Sequence, residues 1–278
     1  MDEQGLPNKD GPVSDWPVGL VLVVLVVLVV LVAGCGGTGD QGPATPAATP
    51  VPATTAAAVA KPCLEEAEQD RVVRFTSDAG ASLVGVVLGS GRAGLVVGHQ
   101  VGSDLCEWLP QAREFAGRGY RVLALDFAGF GDSQPGSGAD AGADSDVVAA
   151  AEELRRRGAE EIVLIGSSMG GTAVLSAATR IRPPVAGVVS LSGPASFQGV
   201  DAGAAVPRLR VPVLLAAGGD DQPFADDARA MYRAVPVRDK RLLVVPGGGH
   251  GTSLLEFGED APRVLAAVRK FVAEHTRR

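Results

Sequence analysis

Short hydrophobic runs alternate with amphipathic stretches from about residue 71 onward. Six runs consist almost entirely of apolar residues, mainly Val, Leu, Ile and Ala, as is typical of strands that are covered on both faces. They lie at 94–99, 121–126, 161–166, 185–192, 212–218 and 241–247. Two earlier runs, 71–76 and 82–89, flank a short polar turn and predict a β-hairpin. Stretches with helical periodicity lie at 108–118, 146–157, 170–180, 225–234 and 259–275.

Alternation of strands and helices predicts an α/β fold with a mostly parallel, doubly wound sheet. The hairpin is expected to form the antiparallel edge of this sheet. Asp144, Ser145 and Asp146 are candidate caps for the helix that follows them. Ligands of such sheets bind beyond the carboxyl ends of the strands, so reactive residues are sought there.

The N-terminal part of the chain has a different pattern. Residues 18–33 are uncharged and mostly apolar, which is short for a membrane-spanning helix of about 20 residues but suits a signal peptide. The run ends near Cys35, and Val32–Cys35 resembles the lipobox of bacterial lipoproteins. Acidic residues outnumber Lys9 ahead of the run, which departs from the basic start of a signal peptide.

We therefore expect residues 1–35 to be either a signal peptide with lipidation at Cys35 or an uncleaved membrane anchor, and a soluble product is the third alternative. The first two place the domain in the cell envelope, on the outer face of the cytoplasmic membrane, with the membrane as a partner. Residues 36–62 are rich in Ala, Pro and Thr and lack hydrophobic periodicity, which predicts a disordered linker. The globular domain is then 63–278.

Two cysteines remain if Cys35 carries lipid. In an exported protein, Cys63 and Cys106 suggest a disulfide, since oxidising compartments preserve such bonds. Two free thiols are the alternative, because the sequence does not give the Cα separation that decides between them.

The charge and residue spacing exclude several classes of partner. The net charge is −7 and the pI is about 5.1, whereas a nucleic-acid-binding surface is basic. No cluster of His, Cys and acidic residues has metal-ligand spacing, and no glycine fingerprint for a nucleotide follows the first parallel strand. We expect no cofactor and no metal.

The sequence GSSMG, at 166–170, fits the G-x-S-x-G nucleophile turn and stands between an apolar run and a helical stretch. Ser168 is the central residue and Ser167 is the variable one. The chain has 37 glycines, so a chance match is not negligible and the motif alone is moderate evidence. A serine also requires a histidine base and a carboxylate that orients it.

The order Ser…Asp…His selects His250, which follows the last apolar run. Asp220 and Asp221 follow the preceding run, and either is a candidate for the acid. The third histidine, His275, is expected to be a solvated residue near the end of the last helix.

From about residue 72 to 272, the chain resembles the α/β-hydrolases. The resemblance rests on GSSMG, on LDFAGFGDS at 125–133 and on VVGHQ at 96–100. It implies that Asp221 is the acid and that the backbone N–H groups of Met169 and Val101 form the oxyanion hole. The family usually has His-Gly where this chain has His99-Gln100, and His99 is expected to hold this loop. Residues 193–211 are too few for a sizeable lid domain.

We therefore expect a serine hydrolase that cleaves a small ester-like substrate through an acyl-enzyme, with Ser168, Asp221 and His250 as its triad. One alternative is a lipid-anchored binding protein that keeps the fold without catalysis. Another is an acyltransferase or peptidase with the same triad. Aromatic residues make up only 4% of the chain, so the sequence does not reveal an aromatic-lined pocket.

Overall fold

The apolar runs form one eight-stranded sheet in the computed structural model, which describes residues 61–138 and 141–277. The strands lie in the spatial order β1-β2-β4-β3-β5-β6-β9-β10. Their bounds are β1 Val72–Thr76, β2 Ser82–Leu88, β3 Ala93–Gly98, β4 Arg121–Asp126, β5 Glu161–Ser167, β6 Gly187–Leu191, β9 Val213–Gly218 and β10 Lys240–Val245. A separate two-stranded ribbon consists of β7 Ser196–Phe197 and β8 Val200–Asp201.

The order in which the strands are added to the sheet reverses at β3. Strand β2 pairs antiparallel with β1 and β4. The parallel part of the sheet consists of the neighbouring strands β4, β3, β5, β6, β9 and β10. The chain passes from β3 outward to β4 and then returns to place β5 on the other side of β3. The loops after β3 and β5 therefore leave neighbouring strands in opposite directions, which opens a crevice between them. The fold predicted from the sequence is confirmed, including its antiparallel edge.

Helices cover both faces of the sheet. Their bounds are α1 Glu66–Gln69, α2 Leu109–Gly117, α3 Ala143–Arg156, α4 Met169–Ala177, α5 Ala202–Ala205, α6 Phe224–Ala234, α7 Ser253–Glu256 and α8 Ala261–His275. Helices α3, α4 and α6 bury apolar residues in one hydrophobic cluster, and α2 and α8 bury theirs in a second cluster on the other face. Adjacent strand residues join opposite clusters, as Val96 and Val97 do, because side chains alternate along a strand.

The predicted long elements agree with the structure to within about three residues, and the short ones were missed. Helix α3 begins earlier than expected, so Asp144, Ser145 and Asp146 lie inside its first turn and Gly142 occupies the cap position. The one-turn helices and the β7–β8 ribbon were not predicted, because a two- to four-residue element is too short to establish a period. The segment 193–211 contains only this ribbon, α5 and a 3₁₀ turn, and it forms no separate lid domain.

The described chain starts at a buried ion pair. The Lys61 ammonium lies 2.6 Å from Asp126 Oδ2 and 3.0 Å from Asp132 Oδ2. Burial acts to lower the pKa of Lys61, but the hydrogen bonds and charges of Asp126 and Asp132 outweigh burial and raise it. Lys61 was predicted to lie in the linker, yet it packs into the domain because the two carboxylates compensate its charge.

The predictions for the membrane segment, for Cys35 and for most of the linker lie outside the described residues. Within 61–138 and 141–277, no helix combines the length and apolarity needed to cross a membrane.

Candidate active site

The nucleophile turn joins β5 to α4. Ser168 has φ 48° and ψ −114°, a region that residues with a side chain seldom adopt. Its backbone N–H donates to the carbonyl oxygen of Leu191 at 2.8 Å, which holds the turn against β6. A Cβ at Gly166 would lie 2.1 Å from the carbonyl oxygen of Gly170. The tight turn therefore requires glycine at position 166.

The loops after β9 and β10 bring an acid to a histidine. His250 Nδ1 lies 2.8 Å from Asp221 Oδ2 and 3.1 Å from Asp221 Oδ1. The hydroxyl of Ser253 accepts from the His250 N–H and donates to the His250 carbonyl oxygen, which fixes the backbone of this loop. Asp220 is exposed and makes no hydrogen bond to His250 in the described chain. Of the two candidate acids, Asp221 orients the imidazole.

The histidine loop packs against the nucleophile turn. Gly251 has φ +58°, and a Cβ there would lie 3.2 Å from the Cβ of Ser167 and 2.7 Å from Gln100 Oε1. Gly251 directly follows His250 in the chain, and Ser167 directly precedes Ser168. The structure thus brings the predicted serine, acid and histidine to one edge of the sheet.

His99 holds the loop that follows β3. Its Nε2 accepts from the N–H of Phe127 at 3.1 Å, so its Nδ1 carries the proton and donates to the carbonyl oxygen of Gln100 at 2.7 Å. Burial lowers the pKa of His99, which favours this neutral form. Because C=O and N–H point in opposite directions across a trans peptide, the bond to Gln100 also sets the direction of the Val101 N–H.

A carboxylate missed by the sequence-based predictions links this loop to the nucleophile turn. Glu107 accepts hydrogen bonds from the backbone N–H of Gln100, at 3.1 Å, and from the hydroxyl of Ser167. It lies in a 3₁₀ turn, Leu105–Trp108, whose Trp108 indole donates to the carbonyl oxygen of Gly98 at 2.9 Å. Gln100, where the family usually has glycine, is thus anchored through its backbone N–H by Glu107 and through its carbonyl by His99.

The two N–H groups expected to form the oxyanion hole are available. Among the described residues, neither Met169 N–H nor Val101 N–H donates a hydrogen bond to the protein. Met169 is the first residue of α4, where backbone N–H groups lack helical partners. Val101 is 46% exposed, so this side of the loop faces solvent.

Cys63 and Cys106 are joined by a disulfide with a Cα–Cα distance of 5.9 Å. Cys106 belongs to the same 3₁₀ turn as Glu107. The N-terminal end of the domain is therefore covalently attached to the turn that carries this carboxylate.

A protein-family model supplies the family. The model described as the alpha/beta hydrolase fold matches residues 86–202. Uncharacterized proteins from two Mycobacterium tuberculosis strains, H37Rv and CDC 1551, are each 30% identical over 206 residues, covering 67% of this chain and 71% of their own. The chain belongs to the α/β-hydrolase family.

Solved structures share the fold of this α/β-hydrolase. An esterase from Thermogutta terrifontis is 21% identical with a TM-score of 0.60, covering 74% of this chain and 99% of its own. The esterase RhEst1 from Rhodococcus sp. ECU1013 has the same identity and TM-score, with coverages of 74% and 100%. A monoacylglycerol lipase from Paleococcus ferrophilus is 17% identical with a TM-score of 0.60, with coverages of 70% and 99%.

A small cavity of about 70 Å³, here called the aromatic cavity, lies beside Met169. Phe127, Phe130 and Phe197 contribute to its wall, together with Asp146 of α3. The low aromatic content concealed this cavity, since three of the chain's eight phenylalanines converge here from two distant segments. Phe127 and Phe130 belong to LDFAGFGDS, one of the stretches that carry the family resemblance.

The remaining histidine differs from its prediction. His275 is not a solvated surface residue, because its side chain is only 11% exposed and both ring nitrogens have partners. Nδ1 lies 2.7 Å from the carbonyl oxygen of Phe271, and Nε2 lies 2.8 Å from Asp239 Oδ2. Within the described residues, no group of three or more His, Cys, Asp or Glu side chains is arranged to hold a metal ion.

Proposed function

We propose that this α/β-hydrolase is a serine hydrolase that cleaves an ester-like bond of a small molecule through an acyl-enzyme. The observation that carries the proposal is the hydrogen-bonded His250–Asp221 pair on a loop packed against the strained Ser168 turn. A binding protein has no need for these groups at the same sheet edge. The names of the structural neighbours, esterases and a monoacylglycerol lipase, support ester bonds as the target.

In the proposed reaction, Ser168 Oγ attacks the ester carbonyl carbon while His250 Nε2 takes the hydroxyl proton. The Nδ1–H of the resulting imidazolium donates to Asp221, which stabilises its charge. His250 then gives the proton to the leaving alkoxide oxygen, and the C–O bond breaks to leave an acyl-enzyme. Water repeats the sequence with His250 as base, which releases the acid and restores Ser168.

The tetrahedral intermediate carries a negative charge on the former carbonyl oxygen. Met169 N–H and Val101 N–H are the proposed donors to this oxygen. The role is supported because neither donates to another group within residues 61–138 and 141–277. Each such donor contributes about 10²–10³ in rate, because the charge develops only in the transition state.

The test is a fluorophosphonate probe, which labels an activated serine hydroxyl. Labelling of the full chain is expected to disappear in Ser168→Ala. In Ser167→Ala, which keeps the Ser168 hydroxyl but loses the contact with Glu107, labelling is expected to persist at a lower rate. Failure of the folded wild-type chain to react would contradict the proposal. Complete loss of label in both folded variants would contradict the assignment of Ser168 as the nucleophile.

We also propose that the domain is exported and tethered to the outer face of the cytoplasmic membrane through Cys35. The disulfide between Cys63 and Cys106 supports export, because such bonds persist in oxidising compartments. Cys35→Ser is expected to release the protein from the membrane fraction, and globomycin is expected to block its processing. Unchanged membrane association of the variant would instead favour an uncleaved anchor.

A further inference from the structure

Asp146 is an unusual member of the aromatic cavity. Asp146 is 3% exposed, and its Oδ2 accepts a hydrogen bond from the N–H of Ala128 at 2.9 Å. In the described part of the chain, no Lys, Arg or His forms an ion pair with it. The wall also contains the polar side chain of Gln198, and the other side chains that line it are apolar. A carboxyl group in such a site is costly to bury unless it meets a donor.

The position of the cavity identifies the part of a substrate that reaches it. Met169, which lines the cavity, directly follows Ser168 in the chain and contributes the proposed oxyanion N–H. The leaving oxygen must face His250, which protonates it. The cavity wall includes no residue of the segments that carry Asp221 and His250. The group that points away from His250 is the acyl chain.

We propose that the aromatic cavity binds the acyl chain of the substrate and that Asp146 selects a chain that carries an ammonium or hydroxyl donor. This assignment rests on the proposed serine hydrolase function. It identifies the substrate class as esters of amino- or hydroxy-substituted acids.

The chemistry of the cavity wall favours this class. Aromatic ring faces together with a carboxylate attract a cation, and the carboxylate also accepts from a hydroxyl. Four lining residues are shared with a polar groove of about 360 Å³ beside the cavity, namely Ala141, Gly142, Gln198 and Val200.

Three 4-nitrophenyl esters with nearly isosteric acyl groups test the assignment: butyrate, 3-hydroxypropionate and the ester of β-alanine. Each kcat/KM of the full chain is divided by the rate constant of hydroxide-catalysed hydrolysis, which removes differences in intrinsic reactivity. The two donor-bearing esters are expected to exceed butyrate about 10- to 100-fold, the range for a hydrogen bond to a charged group.

Asp146→Asn is expected to abolish the preference for the β-alanine ester and to keep part of that for the hydroxy ester, because an amide oxygen accepts without charge. Asp226→Asn is the matched control, since Asp226 is 70% exposed on α6 and lies outside the cavity. Ala143→Leu places a larger side chain in the cavity from α3. It is expected to lower kcat/KM for all three esters relative to kcat/KM for 4-nitrophenyl acetate.

The outcomes separate the two proposals. Hydrolysis of all three esters without a donor preference, or an unchanged preference in folded Asp146→Asn and Ala143→Leu, would overturn the cavity assignment while leaving the serine hydrolase intact. Activity toward none of the esters, together with no fluorophosphonate labelling, would overturn the hydrolase proposal and the assignment that depends on it.

Discussion

His99 donates its Nδ1–H to the carbonyl oxygen of Gln100, 2.7 Å away. Through this bond, a neutral and buried imidazole sets the plane of the peptide that carries the Val101 N–H. The histidine therefore serves the proposed oxyanion hole without contact with substrate, as a positioning residue.

His99→Ala is expected to lower kcat about 10- to 100-fold, somewhat less than removal of an oxyanion donor itself. KM is expected to change little, because the donor acts mainly in the transition state. Steady-state kinetics on 4-nitrophenyl butyrate measures both constants. His275→Ala, which removes another hydrogen-bonded histidine, is the control and should retain kcat. An unchanged kcat in folded His99→Ala would exclude the positioning role.

Glu107 is expected to show a graded effect, because its two oxygens hold Gln100 and Ser167 separately. Glu107→Gln keeps one acceptor oxygen and should lower kcat about tenfold, whereas Glu107→Ala removes both and should lower it about 100-fold. The exposed Glu152→Gln is the control.

A double-mutant cycle between Glu107→Gln and Ser167→Ala checks that the two residues act together. The effects on kcat should be clearly less than additive, since each variant breaks the same contact. Additive effects would mean that Glu107 acts through another contact.

Asp146 should make stability depend on pH. Burial, with a smaller effect of the Asp144 charge, raises the pKa of Asp146 from 3.8 to about 6. Between these values the folded state holds a proton that the unfolded state has lost. The contribution of this group is therefore largest below pH 3.8 and falls as the pH rises through about 6, by up to about 3 kcal/mol.

Asp146→Asn removes this penalty and keeps an acceptor for the Ala128 N–H. Its free energy of unfolding, measured by urea denaturation, should exceed that of the wild type at pH 8. The difference should shrink at pH 5 and vanish near pH 4. A constant difference across this range would show that ionisation of Asp146 is not its cause.

The disulfide should stabilise the domain by restricting its unfolded state. Cys63 and Cys106 are separated by 43 positions, and a closed loop of this length corresponds to about 4 kcal/mol in the chain-entropy model. Replacement of both cysteines by serine is expected to lower the free energy of unfolding by about 2–4 kcal/mol. Dithiothreitol should reproduce this loss in the wild type and leave the double variant unchanged. Equal stability of the wild type with and without the reductant would contradict the role of the bond.

The sequence by itself determined the strands, the long helices and the order in which reactive residues leave the sheet. Repeated apolar runs indicate strands that are buried on both faces. GSSMG indicates a tight turn that needs glycine at its first position. Both signals lie within a few consecutive residues, so they can be recognised without knowledge of distant contacts. The same local signals placed Ser168, Asp221 and His250 after three strands of the sheet, β5, β9 and β10, although they left Asp220 as an alternative.

Only the tertiary structure decided which distant groups meet. Glu107 and Ser167 are 60 positions apart, and the passage of the chain across β3 brings them together. The sequence offered Asp146 only as a candidate helix cap, and it revealed no aromatic-lined pocket. The packing of α3 near the loop after β4 places Asp146 and three phenylalanines around one cavity. Lys61 was predicted to belong to the linker, because the composition of that segment does not reveal that Asp126 and Asp132 lie next to Lys61 in the fold. Periodicity along the chain indicates whether a residue is buried. A site depends instead on which distant residues lie next to one another, and the order of the strands and the packing of the helices determine those neighbours.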